Sequence, residues 1–417
     1  MAVDALVMGL GRFGGGMAAA ESLLTEGRRV LVTDLAEEAA LQASVTKLRE
    51  TFGALVSFRL GGHDQEDFAQ AELVIANPAV PQPWNNPYLQ TAWETGATVT
   101  TEIARTLDQL SDRQSIAITG SAGKSTTTAM AHAALVAAGL PSTRGGNLGE
   151  SLSGTPKEHT LVVELSSAMA WWLYEAPKAP QPTFDVALRT NLAPNHLDWH
   201  GDMTHYARCK QAILDHAKVA LDGSMLAPYE GELLVPGHHN RINAAAALAA
   251  VTALAPHRPA TDFEKGLASF AGLPHRLERV VVPHFPDNGF WNDSKATTAE
   301  AVALAIAAVR EKGPVRLIAG GKGKGTDLGP LCDLFGRCVK TYTIGEIGGE
   351  LHRRAQGTCM HAMTLDAAVA AATSELSLGE QLLLSPGATS WDQFENYERR
   401  GEAFKTLVQR PSESHPN

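Results

Sequence analysis

Ile116-Ala117-Ile118-Thr119-Gly120-Ser121-Ala122-Gly123-Lys124-Ser125-Thr126-Thr127 is the stretch on which the reading of this chain turns. Its β-branched start predicts a strand, its glycines a turn, and its Lys-Ser-Thr-Thr end the opening of a helix. Such a turn aims backbone N–H groups and a helix N-terminus at one point, where partial positive charge favours phosphate. Lys124 adds a mobile cation for terminal phosphates, and the Ser125 hydroxyl a ligand for Mg²⁺. The common phosphate-loop pattern has a glycine five residues ahead of its second one, where Ile118 stands here. A glycine turn that happens to contain Lys-Ser is the competing reading. The order strand, turn, helix favours nucleotide binding.

The rest of the chain extends the alternation in both directions. An apolar strand at residues 3–9 runs into Gly9-Leu10-Gly11-Arg12-Phe13-Gly14 and an Ala-rich helix, and a second strand from Arg29 to Thr33 ends at Asp34. That glycine pattern with a later acid predicts a Rossmann-like unit, for which a nicotinamide cofactor is one of several ligands. Further apolar runs at 73–76, 160–164, 315–321 and 381–386 are of the kind buried on both faces of parallel sheets. The expected fold class is α/β with three domains: Rossmann-like at 1–102, central ATPase-like and mostly parallel at 103–272, and Rossmann-like again at 273–417. At 417 residues the chain is too long for one ordinary core.

Composition bounds the function. A formal charge of −10 argues against a nucleic-acid or anionic-membrane surface, while permitting a local basic pocket. Hydrophobic content of 44% without an 18-residue apolar run predicts no membrane insertion. Cys209, Cys332, Cys338 and Cys359 show no metal-ligand spacing, with Cys332 and Cys338 expected six apart on one helix. Free thiols and no leader-like start predict a cytoplasmic protein.

Several residues bear chemistry. Glu164 ends a buried strand before Leu165-Ser166-Ser167 and suits Mg²⁺, or else caps the next helix. His196 lies in the polar loop 190–201 beside Asp198 and His200, as a metal ligand, phosphate partner or base. Lys210 falls in a helical stretch from Tyr206 to Ala217, where sequence chemistry alone reads it as a solvated lysine. Asn240 and Asn243, three apart, share a helix face and can reach an adenine or its ribose, or simply cap the helix start. Arg276 can clamp a phosphate, and Lys295, Lys322 and Lys324 follow strands in the last third of the chain. Basic groups at successive strand ends predict an anionic substrate there.

Taken together, six ordered motifs resemble the Mur ligase family of amide ligases: 119–126, 164–167, 196–198, 239–243, 274–276 and 292–297. A seventh stretch, Leu384 to Phe394 followed by Asn396-Tyr397-Glu398-Arg399-Arg400-Gly401, is similar to the part of the D-glutamate-adding (MurD-type) branch that contacts glutamate. The resemblance runs from about residue 5 to residue 407. It implies that ATP activates the carboxylate of UDP-N-acetylmuramoyl-L-alanine as an acyl phosphate, and that D-glutamate attacks through a tetrahedral intermediate. L-glutamate or an altered acceptor is the alternative, and a nicotinamide oxidoreductase a remote one.

By the same resemblance, Lys124, His196 and Lys210 are catalytic, and Gly120, Ser121, Gly123, Lys124, Ser125, Thr126, Asn240, Arg276 and Asp293 bind the nucleotide. Asn147, Ser166, Lys295, Thr297, Lys324, Ser390 and Tyr397 meet the other substrates. Ser125 and Glu164 hold one Mg²⁺, and His196 with a carbamylated Lys210 a second. The family also implies a monomer whose domains close on their ligands. Departures fall at Ser121-Ala122 (usually Thr-Asn), Ala168-Met169 (Phe-Gln), Asn195 (Asp), Trp199 (Arg), Tyr397 (Phe) and Arg12-Phe13 in the uridine loop.

Overall fold

The computed structural model describes residues 3–11, 15–323, 325, 327–355 and 357–410, which form three sheets. The first contains β1 (Ala5–Met8), β2 (Val30–Asp34), β3 (Val56–Leu60), β4 (Leu73–Ala76) and β5 (Thr98–Thr100). Its order is β3-β2-β1-β4-β5 and every pair is parallel. The second contains β6 (Ser115–Thr119), β7 (Ser142–Gly146), β8 (Thr160–Glu164), β9 (Phe184–Arg189) and β10 (Ala217–Asp222), in the order β10-β9-β6-β8-β7, again all parallel. The third contains β11 (Glu278–Val280), β12 (Gly289–Asn292), β13 (Val315–Gly320), β14 (Lys340–Ile344), β15 (Cys359–Met363) and β16 (Gln381–Leu384). Its order is β11-β12-β16-β13-β14-β15, and only β11 runs antiparallel, at the edge.

Burial follows the strand period of two. In β1, Leu6 and Met8 enter one apolar cluster while Ala5 and Val7 enter another on the opposite face. In the third sheet, Leu317 and Leu383 pack on one side and Ile318, Leu382 and Leu384 on the other. Both faces are covered, so these strands read as continuous apolar runs.

Two compact units result, one of residues up to 227 with 243–267, the other of 228–242 with 268 onward. The first two sheets fall in the same unit because they share a core. Leu6, Val74 and Leu89 join Leu161, Val163 and Trp172 in one cluster, and Trp84 stands 5.4 Å from Trp171. The helix His238–Leu254 contains the division between the units, so Asn240 falls in one and Asn243 in the other. One expectation needs correction: Cys332 and Cys338 do not share a helix. Cys332 ends the short helix Gly329–Cys332, and Cys338 follows a 3₁₀ turn at Phe335–Arg337. All four thiols are free.

Candidate active site

β6 is flanked by β8 and β9, so the chain turns to opposite sides of it and opens a crevice at the carboxyl ends of these strands. The phosphate loop fills that position. Gly120 has φ 141°, and a Cβ there would lie 1.9 Å from Thr190 Oγ1, so the loop can approach β9 only with glycine. Thr190 Oγ1 donates to Ala122 O at 2.6 Å, Asn191 Oδ1 accepts from Ala122 N at 3.0 Å, and Ser121 N donates to Asn191 O at 3.1 Å. Ser121 Oγ donates to Ala193 O and sits 2.8 Å from Tyr206 Oη. Thr190, Asn191 and Tyr206, to which the sequence reading gave no role, thus fix the loop. Gly123 closes it at φ 81°, against Asn243 Oδ1, and the helix Lys124–Ala137 begins at the next residue with Ser125 buried in its first turn and Thr126 half-buried.

Two amino groups converge on one carbonyl. Lys124 Nζ donates to Gly120 O at 3.0 Å, and Lys210 Nζ donates to the same oxygen at 2.8 Å and to Thr119 Oγ1 at 3.3 Å. Lys210 is 1% exposed and extends from the helix Met203–Asp215. Burial, reinforced by the neighbouring charge of Lys124, lowers its amine to about 7. The helix pattern called a solvated lysine, but the side chain turns inward. Residue chemistry alone does not separate these two outcomes; the family resemblance, which places Lys210 among the catalytic residues, does.

Glu164 is buried at the end of β8. Its Oε1 accepts from Asn147 Nδ2 at 2.8 Å, and its Oε2 has no hydrogen-bond partner. The capping alternative fails, because Ser166 Oγ accepts from Met169 N and caps the helix Ser167–Tyr174. An orphaned, buried carboxylate oxygen beside a phosphate loop is the donor a hard cation takes. His196 precedes the helix Leu197–His200 at φ 53°. Desolvation and the charges of Lys124 and Lys210 lower its pKa.

The third sheet gathers a second group. Asp293 follows β12 and is buried, its Oδ2 accepting from Ser385 Oγ at 2.8 Å and its Oδ1 from Leu277 N at 3.2 Å. Burial raises it to about 7, against the opposing charge of Arg276. Lys295 is exposed and donates to Tyr397 Oη at 2.9 Å. Thr297 is half-buried, and Ser390 is buried in the loop after β16. Arg400, which the sequence reading quoted without a role, lies under this group. Its guanidinium donates to Ser294 Oγ and O, Thr389 O and Ala388 O at 2.8–3.1 Å. Asn240 Nδ2 donates to Pro236 O at 2.7 Å. Lys324, Arg12 and Phe13 lie outside the described residues.

A phosphate loop with a buried acid and paired lysines at a switch point defines a nucleotide-dependent enzyme on a multi-sheet α/β frame. Residues 3–101 match the Mur ligase MurD-like N-terminal domain and residues 118–227 the Mur ligase middle domain. The UDP-N-acetylmuramoylalanine–D-glutamate ligase of Trichlorobacter lovleyi is 34% identical, with 97% of this chain and 98% of the relative covered. The enzyme of the same name from Geobacter metallireducens is 32% identical, covering 97% and 96%. The crystal structure of the UDP-N-acetylmuramate-alanine ligase MurC from Thermotoga maritima shares the fold, with a TM-score of 0.63 at 17% identity over 98% and 99% of the two chains. The chain belongs to the Mur ligase family and is an ATP-dependent amide ligase. Its relatives give the nicotinamide oxidoreductase alternative no support.

Proposed function

We propose that this ligase adds D-glutamate to UDP-N-acetylmuramoyl-L-alanine in peptidoglycan precursor synthesis. The observation that carries the reading is the convergence of Lys124 and Lys210 on Gly120 O, with the unpartnered Oε2 of buried Glu164 at the neighbouring strand end. Carboxylate activation concentrates charge at the transferred phosphoryl group, and fixed cations there lower the barrier. Lys124 holds that charge. Gly120, Ser121, Gly123, Ser125 and Thr126 seat the phosphates. Ser125 and Glu164 would hold one Mg²⁺, and His196 with Lys210 a second, which would supply positive charge against the phosphates.

Lys210 serves as a carbamate. Its buried amine, lowered to about 7, has a substantial neutral fraction near neutral pH, the form that adds CO₂ to give an N-carboxylate and release one proton. The product replaces a repelling pair with an attracting one. Asn147 and Ser166 bind the muramoyl substrate, Asn240, Arg276 and Asp293 the nucleotide, and Lys295, Thr297, Lys324, Ser390 and Tyr397 the glutamate. These roles divide among domains at 1–102, 103–272 and 273–417, which close on their ligands. The working form is a cytoplasmic monomer. Among the described residues, no helix is long and apolar enough to cross a membrane.

The test is phosphate release from ATP with UDP-N-acetylmuramoyl-L-alanine and a panel of amino acids of both hands. Turnover with D-glutamate is expected. Turnover with L-glutamate alone, or only with another acceptor, overturns the assignment.

A further inference from the structure

Outside the ligase residues, His200, His205 and Cys209 are the group of potential metal donors that the described residues bring together, with one donor atom of each lying within 4.8 Å of the others. We propose that these three side chains bind a thiophilic divalent transition-metal ion of the Zn²⁺ class, at a site separate from the Mg²⁺ ligands.

The local fold builds the site. His205 and Cys209 stand four apart on the helix Met203–Asp215 and so share one face. His200 ends the preceding helix and turns its Nδ1 to 2.9 Å from His205 Nδ1. Cys209 Sγ lies 3.9 Å from His200 Nδ1 and 3.8 Å from His205 Nε2. Metal–nitrogen bonds of about 2.0 Å and a metal–sulfur bond of about 2.3 Å place tetrahedral donors roughly 3.3–3.6 Å apart. The close contacts to His200 and to Cys209 use opposite nitrogens of His205, so that side chain must shift to present a single nitrogen, from a starting set of one donor atom per residue within 4.8 Å of one another. In the metal-free protein the thiol donates to Glu175 Oε1 at 3.4 Å, and its contacts to the two imidazoles are longer.

The surroundings match a metal centre as well. His200 Nε2 lies 2.8 Å from Ser167 Oγ, an outer hydrogen bond of the kind that sets ring orientation in ligating histidines. The Glu175 carboxylate, fixed by Arg208 at 2.6 and 3.1 Å, reaches Cys209 Sγ at 3.4 Å and His205 Nε2 at 3.7 Å, and so supplies an offsetting anion. Trp84 packs 4.6 Å from the His205 ring and Trp199 4.5 Å from that of His200, which dries the site. Two imidazoles and a thiolate select Zn²⁺, Co²⁺ or Cu²⁺ over Mg²⁺, which demands oxygen. Binding forms a metal–sulfur bond, breaks the Cys209 S–H bond and releases one proton to solvent.

The full chain, stripped with a chelator and held in excess Mg²⁺, is titrated with Co²⁺. A thiolate-to-cobalt absorption band saturating at one equivalent is expected, with Zn²⁺ displacing Co²⁺. Cys209→Ser should abolish the band, and His205→Gln should weaken binding by about tenfold or more. Zn²⁺ should raise the Tm of the wild type and leave that of Cys209→Ser unchanged. Absence of the band in the wild type overturns the proposal, as does a band of equal strength in Cys209→Ser. If Cys209→Ser does not fold, unchanged affinity in His205→Gln is the overturning result. None of these readouts uses turnover, so the outcome is independent of the ligase assignment.

Discussion

The second and third sheets place ligand-facing residues alike, at the carboxyl ends of strands beside a positive-φ glycine, yet they treat buried charge in opposite ways. At the end of β8, Glu164 keeps one oxygen without a partner, and next to it two lysines share a single carbonyl. Under the loop after β16, Arg400 makes four hydrogen bonds to neutral oxygens, and both oxygens of Asp293 accept. Leaving a buried charge unmatched is costly, so it persists where a ligand completes it. A satisfied one is scaffold. On the proposed function, the second sheet is where metal and phosphoryl charge enter, and Arg400 gives the third a fixed frame behind Lys295.

The sharpest way to break that contrast is Lys124→Ala. Phosphate release should fall on the order of 10³-fold in kcat, because the lost cation acts on charge that develops in the transition state. A loss under tenfold would mean that the second sheet does not carry that charge. Lys210→Ala should cost about 10²-fold, with partial recovery on adding acetate or propionate to replace the carbamate oxygen. If no short carboxylate restores the variant, and removing CO₂ leaves the wild type unchanged, Lys210 acts in another form.

The same contrast separates what was legible in the sequence from what was not. Apolar runs between glycine turns give β1, β6, β8, β13 and β16 directly, since strands buried on both faces leave no other mark. β7, Ser142-Thr143-Arg144-Gly145-Gly146, escapes because an edge strand needs little apolar side chain. Residue types at strand ends point to Glu164 and Lys124. The direction of Lys210 is invisible to residue chemistry alone, because a helix lists its faces without saying which neighbour each meets. Arg400 is hidden for a related reason: an arginine beside Arg399 reads as surface charge, and only the fold shows that one of the pair is exposed and the other buried. The shared Trp core of the first two sheets depends on contacts over about 80 residues of sequence, which no local pattern encodes.

Arg400→Met tests the scaffold side. A flexible apolar chain fills much of the space but takes the guanidinium donors from Ala388 O and Ser294 O, while Thr389 O keeps its bond from Lys322 N. Unfolding free energy should drop by about 3 kcal/mol. Because those carbonyls belong to the loop bearing Ser390 and the turn bearing Lys295, KM for glutamate should rise about tenfold or more while KM for ATP holds. Equal changes in both would make Arg400 a general stabiliser and not a positioning residue for the third sheet.

Asp293→Asn gives the finest probe, because it asks whether hydrogen bonds alone satisfy a buried carboxylate. In the folded protein burial raises this acid to about 7, whereas an unfolded aspartate titrates near ~3.9. Between those values the folded state binds more protons than the unfolded one, so the group's contribution to stability is complete below about pH 4 and is lost as pH rises through about 7. Asparagine stays neutral throughout and keeps the shape. The Tm difference between wild type and variant should therefore move in the variant's favour by on the order of 5–10 °C from pH 4 to pH 8. A difference that stays flat across this range would mean that Arg276 pays for the ionised form, and the satisfied character of the third sheet would then rest on Arg400 alone.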